Sequence, residues 1–202
     1  MFSNTLNFFK KSNNGGDVMK HVIDTIANEV QEVLKRINPN ESEKLADELK
    51  ATNRIFLAGT GRSGLVGKIF AMRLMHSEYQ VYVVGETITP SIEPEDLLLV
   101  ISGSGSTESL KYYATKAKDV GAKLALVTTN KDSAIGKISD YTVVIPAATK
   151  KRLAHEPSTI QPLGSQFDQS AHLLLDAVMV FLLQQQESKD ESSLNKKHAN
   201  LE

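Results

Sequence analysis

The sequence predicts an α/β fold of three layers, in which a five-stranded parallel sheet lies between two layers of helices. Five short apolar runs alternate with segments of helical periodicity along the 202 residues, as in doubly wound proteins. Val, Ile and Leu stand next to one another in these runs, which is typical of strands buried on both faces. Short connections between runs favour parallel strands joined by right-handed crossovers.

Length and composition limit the classes of function. A chain of 202 residues suggests one domain. The formal net charge of −1 argues against a general nucleic-acid binder. The absence of cysteine excludes disulfides, thiolate metal sites and a cysteine nucleophile, and it fits the cytoplasm. No apolar run reaches the roughly 18–20 residues of a membrane helix, so we predict neither a membrane segment nor a secretory signal.

Two helices are predicted before the first strand. Apolar residues three and four positions apart indicate a helix over 20–36, which Pro39 ends. Asn40, with Glu43 three residues further on, predicts the capped start of a second helix that runs to about Ala51. We expect 1–18 to be a poorly defined extension, 19–186 to form one domain and 187–202 to be a polar tail.

Strands and helices alternate from residue 54 onward. The predicted strands cover 54–58, 80–86, 97–101, 123–129 and 141–146, and the predicted helices cover 65–76, 107–120, 133–139 and 165–186. The last helix is apolar on nearly every face. We therefore expect one side of it to rest on the sheet and another to rest on a partner chain.

Two loops of small residues follow the first and third strands. The first is GTGRSG, at 59–64, and the second is SGSGST, at 102–107. Glycines let a ligand approach the peptide N–H groups, and the helix that follows attracts an anion to its N-terminus. Three serines and a threonine add hydroxyl donors to the second loop, which suits a phosphate monoester. The alternative is that these hydroxyls only cap the helix.

The first loop also matches the dinucleotide pattern G-x-G-x-x-G. Glu86 lies 22 residues beyond Gly64, where a ribose-binding acid would be expected. The hydroxyl-rich second loop and the bulky Arg62 argue against a dinucleotide. A P-loop is less consistent still, because Ile69 follows Gly67 and Lys68 where a Ser or Thr is needed.

Six strings resemble the sugar isomerase (SIS) domain family, and in particular its 6-phospho-3-hexuloisomerase branch: AGTGRSG, AMRLMHS, VYVVGETITP, ISGSGSTES, QPLGSQFDQ and HANLE. The resemblance implies a flavodoxin-like doubly wound sheet of five strands and a homo-oligomer, either a dimer or a tetramer. It implies isomerisation of D-arabino-hex-3-ulose 6-phosphate to fructose 6-phosphate, in the ribulose monophosphate route of formaldehyde fixation. It implies no metal and no organic cofactor, and no nucleic-acid or membrane partner.

The same resemblance implies site residues. Asp168 matches the catalytic base, which is a glutamate in the family, and His76 is the candidate for protonating a carbonyl oxygen or opening the sugar ring. The substrate-binding positions are Gly61, Arg62, Ser63, Ser102, Gly103, Ser104, Gly105, Ser106 and Thr107. The structural alternatives are that Asp168 only complements a helix dipole and that His76 is a capping or surface residue.

The remaining histidines are weaker candidates. His155 lies in a proline-bounded loop, His172 lies four residues after Asp168 on the same helical face, and His198 lies in the tail. No histidine and carboxylate cluster has the spacing of metal ligands. Three other functions stay open: a sugar-phosphate sensor without activity, an arabinose 5-phosphate isomerase, and a dinucleotide-dependent oxidoreductase.

Overall fold

The computed structural model describes residues 15–185, and it contains one parallel sheet of five strands. In chain order the strands are β1 (Arg54–Gly59), β2 (Gln80–Val83), β3 (Leu97–Ile101), β4 (Lys123–Thr128) and β5 (Tyr141–Val144). Their order across the sheet is β2-β1-β3-β4-β5, and every neighbouring pair is parallel. The predicted α/β fold class is therefore confirmed.

The helices within the described part of the chain form the outer layers. They are α1 (Gly15–Leu34), α2 (Pro39–Ala51), α3 (Gly61–His76), α4 (Glu108–Asp119) and α5 (Ser165–Gln184), with a 3-10 turn at Gly136–Ile138. Helices α2, α3 and α5 bury their apolar faces against the β1 side chains of Ile55 and Leu57. Helix α4 packs on the opposite face of the sheet, against Phe56 and Leu98. Side chains alternate between the faces because strand periodicity is two.

Helix α1 covers one side of α5. It packs against α5, and Ile37, which follows α1, contacts the core that α5 completes. The expectation that another side of α5 rests on a partner chain stays a prediction. Leu173 and Val180 of α5 stay exposed.

The start of α2 differs from the prediction. Pro39 is the first residue of α2, and the side chain of Asn38 caps the helix by accepting a hydrogen bond from the Asn40 N–H at 3.1 Å. The predicted cap at Asn40 was wrong, because proline is favoured at the first position of a helix. Its fixed φ is already helical, and the N–H that proline lacks would make no hydrogen bond within the helix at that position.

Helix α3 begins at Gly61, four residues before its predicted start, so most of the first loop is its first turn. The glycines there serve close packing of the helix on the strand before it. A Cβ atom added to Gly64 would lie 2.7 Å from the Gly59 carbonyl oxygen, which is too close for any side chain. Sequence reasoning assigned these glycines to a loop because glycine is a weak helix former.

Other boundaries differ by a few residues. Helix α1 begins at Gly15, before the predicted domain start at residue 19, and β2 ends at Val83 rather than at 86. The predicted helix 133–139 is only the 3-10 turn. The predicted tail, 187–202, and His198 within it lie outside the described residues, as does most of the predicted extension.

Strand β5 forms one border of the sheet. The N–H of Val144 points away from β4, and it donates to the Glu41 carboxylate of α2 at 2.9 Å. None of the described helices combines the length and the apolar content that crossing a membrane requires.

Candidate active site

The two small-residue loops lie side by side at the carboxyl edge of the sheet. They follow β1 and β3, which are neighbours, and ligands of open α/β sheets bind at this edge. A cavity of about 620 Å³ opens between them. Five of the nine predicted binding residues line it: Ser63, Ser102, Gly103, Ser104 and Thr107. Gly61, Arg62, Gly105 and Ser106 are not among the residues that line it.

The second loop is held in one conformation by its own hydrogen bonds. Gly105 has φ +58°, and a Cβ atom there would lie 2.1 Å from the Ser133 hydroxyl, so only glycine fits. The Gly105 N–H donates to the Ser102 hydroxyl at 3.1 Å. The Gly103 carbonyl accepts from the Thr129 hydroxyl at 2.8 Å. The loop is thus built before any ligand arrives.

The hydroxyls at the two helix starts are not used for capping. Thr107 precedes α4 and Thr60 precedes α3, and neither side chain makes a capping hydrogen bond. A threonine whose only role was to cap would bond a backbone N–H of the first turn. The arrangement therefore favours anion binding over the capping alternative.

Asp168 lies in the first turn of α5 and is 7% exposed. One carboxylate oxygen accepts from the Ser63 hydroxyl at 2.7 Å, and the other accepts from Arg62 Nε at 3.2 Å. These contacts join α5 to the first turn of α3 and hold the carboxylate at the cavity, which it lines. A carboxylate at the wall of such a cavity is a group that can accept a proton from a bound molecule.

Arg62 is the ion-pair partner of Asp168, although it does not line the cavity. Its side chain is 61% exposed, while that of Asp168 is 9% exposed. The resemblance implied that Arg62 binds substrate, and in the structure its guanidinium forms a salt bridge with Asp168.

The structure does not bring His76 to this cavity. It is buried at the last residue of α3, whereas the cavity lies at the first turn of that helix. Fifteen residues of helix separate His76 from Gly61, a rise of about 22 Å. Within one chain His76 does not reach the reacting atoms, so its assignment as catalytic gains no support.

Three parts of the cavity wall were missed by sequence reasoning. They are Arg36 after α1, the residues Thr129, Asn130 and Asp132 after β4, and the strap, which we define as residues 149–164 between β5 and α5. The strap contributes Lys150 and Lys151 among others, and it also places His155, which the sequence named as a weaker candidate, at the cavity. Only the predicted topology could have indicated these residues, because in a parallel sheet the segments that follow β4 and β5 begin at the same edge as the loops that follow β1 and β3.

Glu156 organises the first half of the strap. Its carboxylate accepts from the Thr149 N–H at 2.9 Å, the Thr149 hydroxyl at 2.6 Å and the Leu153 N–H at 3.2 Å. Burial raises the pKa of Glu156, but these hydrogen bonds and the neighbouring His155 lower it more, so the pKa lies below its ordinary value. The carboxylate is therefore ionised at neutral pH.

Two other sequence candidates lie elsewhere. His172 contacts Asp176 at 3.6 Å rather than Asp168, and Glu86 pairs with Lys68 of α3 at 2.6 Å, away from the cavity. The acid that a dinucleotide site would use is thus engaged by a surface lysine. Among residues 15–185 no group of three histidine or carboxylate side chains could hold a metal ion.

Comparisons with known proteins agree with this architecture. The model of the SIS domain matches residues 48–173. A 3-hexulose-6-phosphate isomerase of Bacillus subtilis (strain 168) is 41% identical over 177 residues, which cover 88% of this chain and 95% of that protein. A 3-hexulose-6-phosphate isomerase of Mycobacterium gastri is 40% identical over 187 residues, which cover 93% of each chain.

A solved structure is similar as well. The crystal structure of a hypothetical protein from Methanococcus jannaschii, from which a function as 3-hexulose-6-phosphate isomerase was inferred, has a TM-score of 0.77 to this chain. It is 35% identical, and the match covers 89% of this chain and 98% of that one. The resemblance that the sequence strings indicated is confirmed, and the chain belongs to the SIS domain family.

Proposed function

We propose that this chain is a 3-hexulose-6-phosphate isomerase, which moves a carbonyl group between C3 and C2 of a hexulose 6-phosphate. One observation carries the proposal: a rigid, hydroxyl-rich loop at a helix N-terminus and a buried carboxylate, Asp168, line the same cavity. Two relatives of that name, at 40% and 41% identity over most of the chain, support the choice of substrate.

The loop at 102–107 would bind the phosphate. The hydroxyls of Ser102, Ser104 and Thr107 offer three donors at the positive end of α4. Lys150 and Lys151 of the strap line the same cavity and supply countercharge for a dianion. Phosphate binding at this end would direct the carbon chain toward Ser63 and Asp168.

Asp168 would act as the base for both proton transfers. It takes the proton from C2 of the 3-ulose, the electron pair of that bond forms the C2–C3 double bond, and the π pair of the C3 carbonyl moves to the C3 oxygen, which takes a proton from solvent. The C2 hydroxyl of this enediol then returns a proton to solvent and becomes the C2 carbonyl, while the electron pair of the C2–C3 double bond takes the proton of the Asp168 carboxyl group at C3. Oxidation at C2 balances reduction at C3, so no external oxidant or reductant is needed.

Ser63 and Arg62 would position this base. Their hydrogen bonds fix both carboxylate oxygens of Asp168, and a base held in the reactive orientation loses less entropy on reaching the transition state. By the family resemblance we assign the reaction to the ribulose monophosphate route and to the cytoplasm.

We also infer that the chain acts as a homo-oligomer. Leu65, Ile69 and Met72 lie on one face of α3 at spacings of four and three, and all three are exposed. Met75 of the same helix is exposed too, and an exposed apolar stripe of this kind favours a contact with another molecule.

Isotope exchange in D₂O tests the proposed function in the reverse direction, starting from the product. We expect fructose 6-phosphate incubated with the protein to exchange hydrogen for deuterium at C3, observed by NMR, and to equilibrate with the 3-ulose. The position of exchange is diagnostic, because an isomerase that makes an aldose would label C1 instead. Exchange at C1 alone would overturn the proposal.

A forward assay completes the test. The 3-ulose 6-phosphate is generated from ribulose 5-phosphate and formaldehyde by a synthase, and fructose 6-phosphate is measured as it forms. Folded protein that binds fructose 6-phosphate but catalyses neither direction would instead be a sugar-phosphate sensor. Conversion of arabinose 5-phosphate without conversion of the 3-ulose would identify a different isomerase.

A further inference from the structure

We propose that Glu29 of α1 is a positioning residue of the active site, because its carboxylate latches the second half of the strap over the sugar-phosphate cavity. This inference rests on the proposed function for its kinetic consequence, but the latch itself is a structural claim. Glu29 lies outside the cavity lining and 130 residues before its partner Thr159. No sequence motif marks it.

Three donors of the strap converge on the Glu29 carboxylate. One oxygen accepts from the Ile160 N–H at 2.8 Å. The other accepts from the Thr159 hydroxyl and from the Gln161 side-chain nitrogen, the latter at 3.1 Å. Hydrogen bonds to a charged acceptor are about twice as strong as neutral ones. The three consecutive residues 159–161 are therefore tied to one side chain of a different element.

Gln161 makes partial release of the strap unfavourable. It is 3% exposed, its side-chain nitrogen donates to Glu29, and its backbone carbonyl accepts from the Arg152 guanidinium. Without the carboxylate, the Gln161 amide group would lose its partner while buried, which is unfavourable. The strap then lowers its free energy by moving outward, where water can bond these groups.

The strap also contains two strained residues that the latch must hold. Arg152 and Leu163, neither of them glycine, have φ angles of 51° and 53°, in the left-handed region. Residues with side chains adopt this conformation only where surrounding contacts impose it. Between them lie His155 and Glu156, and Leu163 itself lines the cavity. Release at Glu29 would therefore let this wall of the cavity relax.

Limited trypsin digestion tests the latch directly, since Lys150, Lys151 and Arg152 are consecutive cleavage sites in the strap. In Glu29→Gln an amide group would face the strap donors, and we expect the bonds after residues 150–152 to be cut about tenfold faster than in the unmodified chain. Thr159→Val removes one of the three donors, and we expect a smaller increase at the same bonds. Fragment masses identify the cut sites.

Asp24→Asn is the matched control, because Asp24 lies on the same helix and pairs with the exposed Lys20. We expect its strap to be cut at the unmodified rate. Kinetically, Glu29→Gln should raise the KM for fructose 6-phosphate about tenfold and leave kcat within about twofold. A purely structural role would lower the unfolding temperature without separating KM from kcat.

The outcomes separate this inference from the proposed function. Unchanged cleavage of the strap in both Glu29→Gln and Thr159→Val would overturn the latch, even if isomerisation is found. Faster cleavage at 150–152 in a chain that isomerises nothing would support the latch and reject the function. If Glu29→Gln does not fold, Thr159→Val decides by the same cleavage and KM measurements.

Discussion

The resemblance implies a glutamate at the position of Asp168, so the base that we propose is one methylene group shorter. Its two oxygens are fixed by Ser63 and Arg62, which keeps the carboxylate at the cavity wall. Buried charges are stable only when paired in this way. The proposed base therefore has a fixed orientation.

Asp168→Asn should leave the fold and phosphate binding intact and lower kcat by roughly 10²- to 10⁴-fold, because it removes the base. Asp168→Glu should keep or raise activity, since it restores the longer acid of the family. Isotope exchange at C3 and calorimetric binding of fructose 6-phosphate measure the two properties separately.

Asp176→Asn provides the control for Asp168. It changes an exposed carboxylate of α5 that pairs with His172, outside the cavity, and we expect normal turnover. Near-full turnover of Asp168→Asn would remove Asp168 from the mechanism.

The environment of Glu48 leads to a prediction of how the free energy of unfolding depends on pH. It is buried on α2 and pairs with Lys123 at the start of β4. Burial raises the pKa of Glu48, but hydrogen bonds from Lys123, Tyr141 and Thr52 and the charge of Lys123 lower it more, so the folded-state pKa lies below the ordinary value of 4.5. A lowered acid pKa stabilises the folded state above pH 4.5, and this contribution is lost as the pH falls through the folded pKa.

Glu48→Gln should therefore lower the free energy of unfolding at pH 7 by about 1 kcal/mol, a value kept small by the solvent around the half-exposed Lys123. The difference from the unmodified chain should shrink as the pH falls below 4.5. Urea unfolding at pH 7 and pH 3.5 measures it, with Glu43→Gln, at an exposed position of the same helix, as the control. An equal difference at both pH values would contradict the pKa argument.

At the scale of elements, the contact between β1 and α3 depends on two glycines. A Cβ atom at Gly64 would meet the Gly59 carbonyl oxygen at 2.7 Å, whereas one at Gly67, in the same helix, would lie 3.5 Å from Ile101 Cδ1. The first distance is a clash with backbone, and the second is an ordinary van der Waals contact.

Gly64→Ala should lower the free energy of unfolding by about 1–3 kcal/mol, because backbone has to move to admit the methyl group. Gly67→Ala should be neutral or stabilise by up to about 1 kcal/mol, because alanine is the better helix former. Chemical unfolding of both variants checks this. Equal stability of the two would show that β1 and α3 are not as closely packed as described.

Elements that carry a local pattern could be predicted from the sequence. The buried runs of β3 and β4 are continuous apolar stretches, so their positions agree with the prediction within a residue or so. The start of α3 could not be predicted, because its glycines are explained by the contact with β1, which is tertiary. Asn38 was missed for a related reason, since Pro39 was interpreted as an end of one helix rather than the start of the next.

At the scale of the whole molecule, the site was predictable only where it is local in sequence. The loop at 102–107 combines glycines and hydroxyls in one string, and a helix follows it. Arg36, the strap and its anchor Glu29 reach the same edge of the sheet only through the chain topology. Periodicity around Arg36 and Glu29 does not indicate the cavity. Within the strap, the sequence pointed only to His155 and to residues 161–164, which begin the string QPLGSQFDQ.

A charged residue placed in the apolar stripe of α3 should weaken association between copies of the chain. We expect the unmodified chain to sediment as a dimer or tetramer at micromolar concentration, and Met72→Glu to weaken association more than about tenfold, because it buries an unpaired charge. Tyr112→Glu on α4, at an exposed position on the other face of the sheet, is the control. A stable monomer of the unmodified chain at micromolar concentration would reject the oligomer.

The bond from the Val144 amide to the Glu41 carboxylate also bears on which surfaces can associate. A strand arriving at that border from another molecule would have to displace a charged acceptor before it could add to the ladder, which is how proteins guard against fibrous aggregation. Growth of the sheet past β5 is therefore opposed at this residue. The proposed oligomer would accordingly form through another surface, such as the apolar stripe of α3.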